Sequence, residues 1–98
     1  VRQLDQDWVR NAQTQLEAFD VPLLLSLLYK TVQHDLEDAD RDGSYLSIGK
    51  NKFRDGRLEW DVTFYNNERY MSNWSSSLKT ALINMLLRLQ IIEWGKRV

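Results

Sequence analysis

Cysteine is missing from this chain, and with it go disulfides, thiolate metal sites and a thiol nucleophile. That lack fits a reducing compartment, so a cytoplasmic location is expected. Histidine occurs once, as His34, which excludes a zinc site built on two imidazoles and leaves only carboxylates as acid–base partners. Asp35 and Glu37 are the candidate partners of His34, but Asp35, the next residue, points elsewhere on a helix; Asp38, four residues on, shares its face. Proline also occurs once, at Pro22, and the four glycines, Gly43, Gly49, Gly56 and Gly95, are scattered. The chain therefore has no Gly/Pro-rich linker, no G-x-G-x-x-G and no phosphate loop, and no serine sits in a nucleophile elbow. No apolar run approaches the ~20 residues needed to span a bilayer, and the start lacks the basic-then-apolar pattern of a secretory signal. From these absences we expect no enzyme, no catalytic, cofactor-binding or metal residues, and no membrane partner.

What is present is a globular composition. The chain has 98 residues, of which 43% are apolar and 28% charged, enough for one small domain spanning 1–98 with a modest core. The net charge of −1 conceals a division. Residues 1–43 hold four basic groups against nine acids, a balance of −5. Residues 44–98 hold nine basic groups against five acids, a balance of +4. Segregation of this kind can orient a partner or a second copy of the chain.

Periodicity supplies the elements. Leu4, Trp8, Ala12, Leu16 and Phe19 form one apolar stripe at helical spacing, which predicts a surface helix from Leu4 to Phe19. Asp20 is the natural cap of a second helix, with Pro22 in its first turn, where a missing N–H costs nothing. From Val21 to Leu36 the apolar residues Leu23, Leu24, Leu25, Leu27, Leu28, Tyr29 and Val32 cover more than one face; such a helix is central to its fold or lies in an interface. After Gly43 the period drops to two. Ser44 to Ile48 alternates, and from Arg57 to Tyr65 the residues Leu58, Trp60, Val62 and Phe64 oppose Glu59, Asp61, Thr63 and Tyr65. Asp55-Gly56 predicts a two-residue type I′ hairpin turn. That turn would put Leu46 and Ile48 on the wrong side unless a bulge near Gly49 restores the register. Asn66-Asn67 predicts a second turn, followed by a short third strand over 68–73. One of Ser75, Ser76 or Ser77 caps a last helix, whose stripe is Leu78, Leu82, Met85, Leu89 and Ile92 and whose narrow wet side is Thr80, Asn84 and Arg88. Gly95 is placed to end it. The predicted fold class is α+β: two N-terminal helices, a three-stranded antiparallel meander and a C-terminal helix packed on one sheet face.

The stretch Asp38 to Ser44 resembles the opening of an EF-hand calcium loop, with Asp38, Asp40 and Asp42 at positions one, three and five and Gly43 at six. Position nine is Leu46, and position twelve, where a bidentate glutamate belongs, is Gly49. The resemblance thus ends before the site is complete, and a turn is expected.

Two surfaces could carry a function. Lys50, Lys52, Arg54 and Arg57 surround the predicted hairpin tip, with Arg69 on the next strand and Tyr45, Tyr65 and Tyr70 available for stacking. Such a set could contact nucleic acid. Three strands followed by a helix, over roughly residues 44–94, also resembles the topology of the double-stranded-RNA-binding domain family. Where that family carries a lysine cluster entering its last helix, this chain reads Ser75-Ser76-Ser77-Leu78-Lys79-Thr80, with one lysine. The other surface is apolar. Three greasy helices exceed what one side of a three-stranded sheet can cover, which leaves helix surface for an interface at Leu24, Leu28, Leu82, Leu86 and Trp94. The function expected is a non-enzymatic protein–protein interaction or adaptor module, working as a homodimer or with a protein partner. RNA or DNA binding through the hairpin is the alternative.

Overall fold

The structure, a computed structural model, describes residues 6–38 and 43–96. Its order is α1 (Gln6–Glu17), α2 (Val21–Glu37), β1 (Tyr45–Lys52), β2 (Leu58–Asn66), β3 (Arg69–Ser75) and α3 (Leu78–Lys96). The strands form one antiparallel sheet in the order β1-β2-β3. This is the predicted α+β class, with α3 on one face of the sheet.

Local chemistry sets the breaks between helices. The last turn of α1 tightens, with Ala18 N donating to Gln15 O at 3.2 Å and Phe19 N to Leu16 O at 3.1 Å. Asp20 is extended and its Oδ1 accepts from Leu23 N at 3.1 Å, an N-cap that stabilises α2 by about 1 kcal/mol. Ser77 is the residue that caps α3: its Oγ accepts from Thr80 N at 3.3 Å and its carbonyl from Ala81 N at 3.1 Å. α3 then continues through Gly95 rather than stopping before it.

The helices do not lie side by side on the sheet. α3 packs on β2 and β3 with one side and on α2 and α1 with another, so it forms the middle of three layers. That placement explains its sequence. Ala81, Leu82, Ile83, Met85, Leu86, Leu87 and Leu89 are all buried, and no single stripe dominates because both sides meet apolar neighbours. Leu24, Leu28 and Val32 of α2 sit at four-residue intervals on its buried side, while Val62, Phe64 and Met71 face α3 from the sheet. Each fully buried leucine contributes on the order of 1.5–3 kcal/mol. Lys79 Nζ also donates to the Glu17 carbonyl at 2.7 Å, tying the start of α3 to the end of α1. Among the described residues no helix is long and apolar enough to cross a membrane.

Both hairpins differ from the simplest expectation. Arg54-Asp55-Gly56 is a three-residue loop: Gly56 N donates to Phe53 O at 3.0 Å and Phe53 N to Arg57 O at 2.9 Å. Gly56 has a φ of 87°, and no described non-glycine residue has a positive φ, so the turn is not type I′. The extra residue sits at Gly56 instead of at Gly49. β1 therefore needs no bulge, and Leu46 and Ile48 lie opposite Phe64 and Val62 in unbroken register. At the second hairpin Asn66, itself buried, accepts from Glu68 N and Arg69 N, each at 2.8 Å, through its side-chain Oδ1. This Asx turn holds the two-residue link Asn67-Glu68 without a left-handed residue.

Candidate interaction surface

Strand alternation gives the sheet two chemically different faces. The face toward the helices carries Leu46, Ile48, Lys50 and Lys52 from β1 and Leu58, Trp60, Val62 and Phe64 from β2, paired in that order from opposite ends. The outer face carries Tyr45, Ser47, Gly49 and Asn51, then Glu59, Asp61, Thr63 and Tyr65, then Tyr70, Ser72 and Trp74.

Aromatic rings occupy both ends of the outer face. Tyr45 and Tyr65, directly opposite in register, stack with centroids 5.5 Å apart, and Tyr70 is the next residue across. At the other end the rings of Phe53 and Trp74 approach to 5.8 Å. Tyr45, Tyr70 and Trp74 are 43%, 65% and 48% exposed, large values for rings that normally seek cover. Between the two clusters lies a polar centre. Asp61 Oδ1 accepts from Thr63 Oγ1 at 2.6 Å and from Ser72 Oγ at 2.9 Å. The two hydroxyls are 3.2 Å apart, but each has one hydrogen and both go to the carboxylate.

The register divides the basic residues of the hairpin. Lys50 lies on the helix side with its ammonium 5.1 Å from the centre of the Trp60 ring, and Lys52 is on the same side. Arg57 turns to the other side, where its guanidinium lies 5.0 Å from the Phe53 ring centre. Its Nε meets Asp55 at 2.8 Å and a terminal nitrogen meets Glu59 at 3.9 Å. Arg54 is in the turn and exposed. Arg69 opens β3 opposite Asn66, at the far end of β2 from the tip. The five cations are thus not brought together.

Leu24, Leu28, Leu82 and Leu86 are at most 1% exposed, packed inside this chain. Trp94 belongs to α3, with its side chain outside the described residues, as is that of Trp8. His34 is exposed on α2. Of the acidic stretch, residues 39–42 lie outside the described residues, but Gly49, at the closing position of the calcium-loop pattern, sits in mid-β1 opposite Asp61. A strand there has replaced the outgoing helix of an EF-hand. Among the described residues no three His, Cys, Asp or Glu side chains converge as a metal site.

Trp74 stands just beyond the predicted third strand over 68–73, and it lies in β3, which extends to Ser75. The alternation of Tyr70, Ser72 and Trp74 against Met71, Asn73 and Ser75 is the signal that marks it. Fold and surface together define a small layered α+β domain with an aromatic outer sheet face. Neither a family model, nor a curated protein, nor a solved structure matches the chain at a significant level.

Proposed function

We propose that this domain is a non-catalytic protein-interaction module that docks its partner on the outer face of the sheet. One observation carries the reading: Tyr45, Tyr70 and Trp74, the most exposed aromatic residues of the described sheet, all stand on that face. Tyrosine and tryptophan lose little side-chain entropy on binding and dominate interface energetics. The helix leucines that first suggested an interface are taken up by the core. On α2, Leu23 and Tyr29 remain exposed, but six residues place them about 120° apart on the helix, so they do not merge into one patch.

Charge favours a protein over a polyanion. Around the outer face Asp55, Glu59 and Asp61 outnumber Arg57, which is already engaged by two of them. A phosphate backbone would meet that acidity; a protein carrying apolar and basic side chains would complement it. Nucleic-acid binding through Lys50, Lys52, Arg54 and Arg57 is the second reading, supported by the tyrosines at one end of the same sheet.

The test compares wild type with a Tyr70→Ser/Trp74→Ser variant and a Lys50→Gln/Lys52→Gln/Arg54→Gln/Arg57→Gln variant. A partner captured by wild type and measured by calorimetry should bind the aromatic variant at least ~30-fold more weakly, as expected for a loss of about 2 kcal/mol at a hot spot. The glutamine variant should bind it nearly as well. Equal binding by the aromatic variant removes the sheet-face reading. Oligonucleotide binding at low salt that the glutamine variant loses establishes the nucleic-acid reading instead.

A further inference from the structure

We infer that the outer edge of β1 is a self-pairing site, at which a second copy of this chain adds its own β1 antiparallel to form a continuous six-stranded sheet. The inference concerns an edge and a partner that the outer-face reading does not use.

Hydrogen-bond parity identifies the groups at that edge. Phe53 and Arg57 are bonded to one another across the first hairpin. Bonded pairs recur every second residue along an antiparallel ladder. Asn51, Gly49, Ser47 and Tyr45 therefore spend their backbone groups on β2, and Leu46, Ile48, Lys50 and Lys52 direct theirs away from it. The same parity makes Ser72 an outward residue of β3, and there Arg88 of α3 reaches round to donate to the Ser72 carbonyl at 3.0 Å. One edge is thus capped by a side chain. Among the described residues no other backbone group outside the sheet bonds to the β1 edge, and Ile48 at its middle is 39% exposed. Edge lysines commonly block such pairing, but Lys50 is drawn back over Trp60 on β2, away from the edge.

Charge selects the occupant. Residues 43–49 carry no charged side chain, whereas the chain leaving β1 is basic, with Lys50, Lys52 and Arg54. Antiparallel pairing of two copies sets each basic end beside the other's uncharged start and keeps the two basic ends apart, so this polarity suits two-fold symmetry. Centring the axis on Gly49 uses all four outward residues: Ile48 opposes Lys50 of the second copy and Leu46 opposes its Lys52. Tyr45 then meets Phe53 of the second copy on the outer face. Centring on Lys50 would oppose like charges, which is destabilising. A Cβ built on Gly49 meets nothing within 4 Å, so a side chain is tolerated there.

A cysteine-free chain makes a direct trap possible. In the Gly49-centred register the two Gly49 residues form a non-bonded pair with Cα atoms about 4.5 Å apart, within disulfide range. Gly49→Cys should therefore oxidise rapidly to a covalent dimer, and its reduced form should melt no lower than the unsubstituted chain. Asn51→Cys, whose two copies would stand about 14 Å apart along the strands, should not. In the unsubstituted chain at about 100 µM, light scattering should give a dimer. The amides of Leu46, Ile48, Lys50 and Lys52 should exchange slowly there and quickly on dilution. A monomeric mass, a dimer whose four amides remain fast, or equal cross-linking of the two variants each overturns the inference. None of these results bears on partner binding by the Tyr70→Ser/Trp74→Ser variant, so the two readings fail separately.

Discussion

Asn66 shows how much one side chain can hold. Its Oδ1 takes two backbone N–H groups at 2.8 Å while the residue is 5% exposed. Removing that oxygen strands donors in a turn that no left-handed residue relieves. Asn66→Ala should lower unfolding free energy by roughly 1–2 kcal/mol, the net worth of the two hydrogen bonds lost, as read by urea denaturation. Asn66→Asp keeps the acceptor and should lose less. The Asp61–Thr63–Ser72 cluster is a different case: it is satisfied internally, so it stiffens the outer face between its aromatic ends and leaves the rings as the groups with area to give a partner.

At the scale of elements, the first hairpin separates two glycines that look alike in sequence. Gly56 has a φ of 87° and supplies the left-handed residue of the loop. Gly49 has an ordinary φ, and a Cβ there would meet nothing within 4 Å. Gly56→Ala should therefore cost about 1 kcal/mol in stability. Gly49→Ala should be neutral or stabilise by up to ~1 kcal/mol, because alanine narrows the unfolded ensemble. Thermal melts of the two variants check both signs. If Gly49→Ala were the more damaging change, the extra residue would belong in mid-strand and the register described for β1 would be wrong. That register matters for function because it sends Lys50 and Arg57 to opposite faces.

At the scale of the molecule, the layering decides which apolar surface is spent. α3 lies between the sheet and the other two helices, so its apolar residues from Ala81 to Leu89 are covered within the chain. Leu82→Ala should accordingly cost about 2–5 kcal/mol, the range for a large-to-small change in a packed core, with chemical denaturation as the measurement. Tyr70→Ser, at 65% exposure, should change stability by no more than ~0.5 kcal/mol. A core leucine and the tyrosine of the proposed docking face thus give opposite signatures, one in stability and the other in binding.

Much of this was legible in the sequence. Period 3.6 before Gly43 and period 2 after it, the Asp20 and serine caps, and the Thr80-Asn84-Arg88 stripe are local effects, set by backbone geometry and neighbours a few residues away. They suffice for the element order and the α+β class. Three features depended on tertiary structure because they rest on contacts between residues far apart in the chain. Helix periodicity shows that a face must be covered but not by what, so Leu24, Leu28, Leu82 and Leu86 read as surplus until α3 was found between two layers. One extra residue in a turn inverts every side chain along a strand, so the division of the hairpin cations followed from where Gly56 took up its left-handed conformation. Trp74 belongs to β3 because pairing with β2 carries the strand to Ser75, two residues past the predicted 68–73.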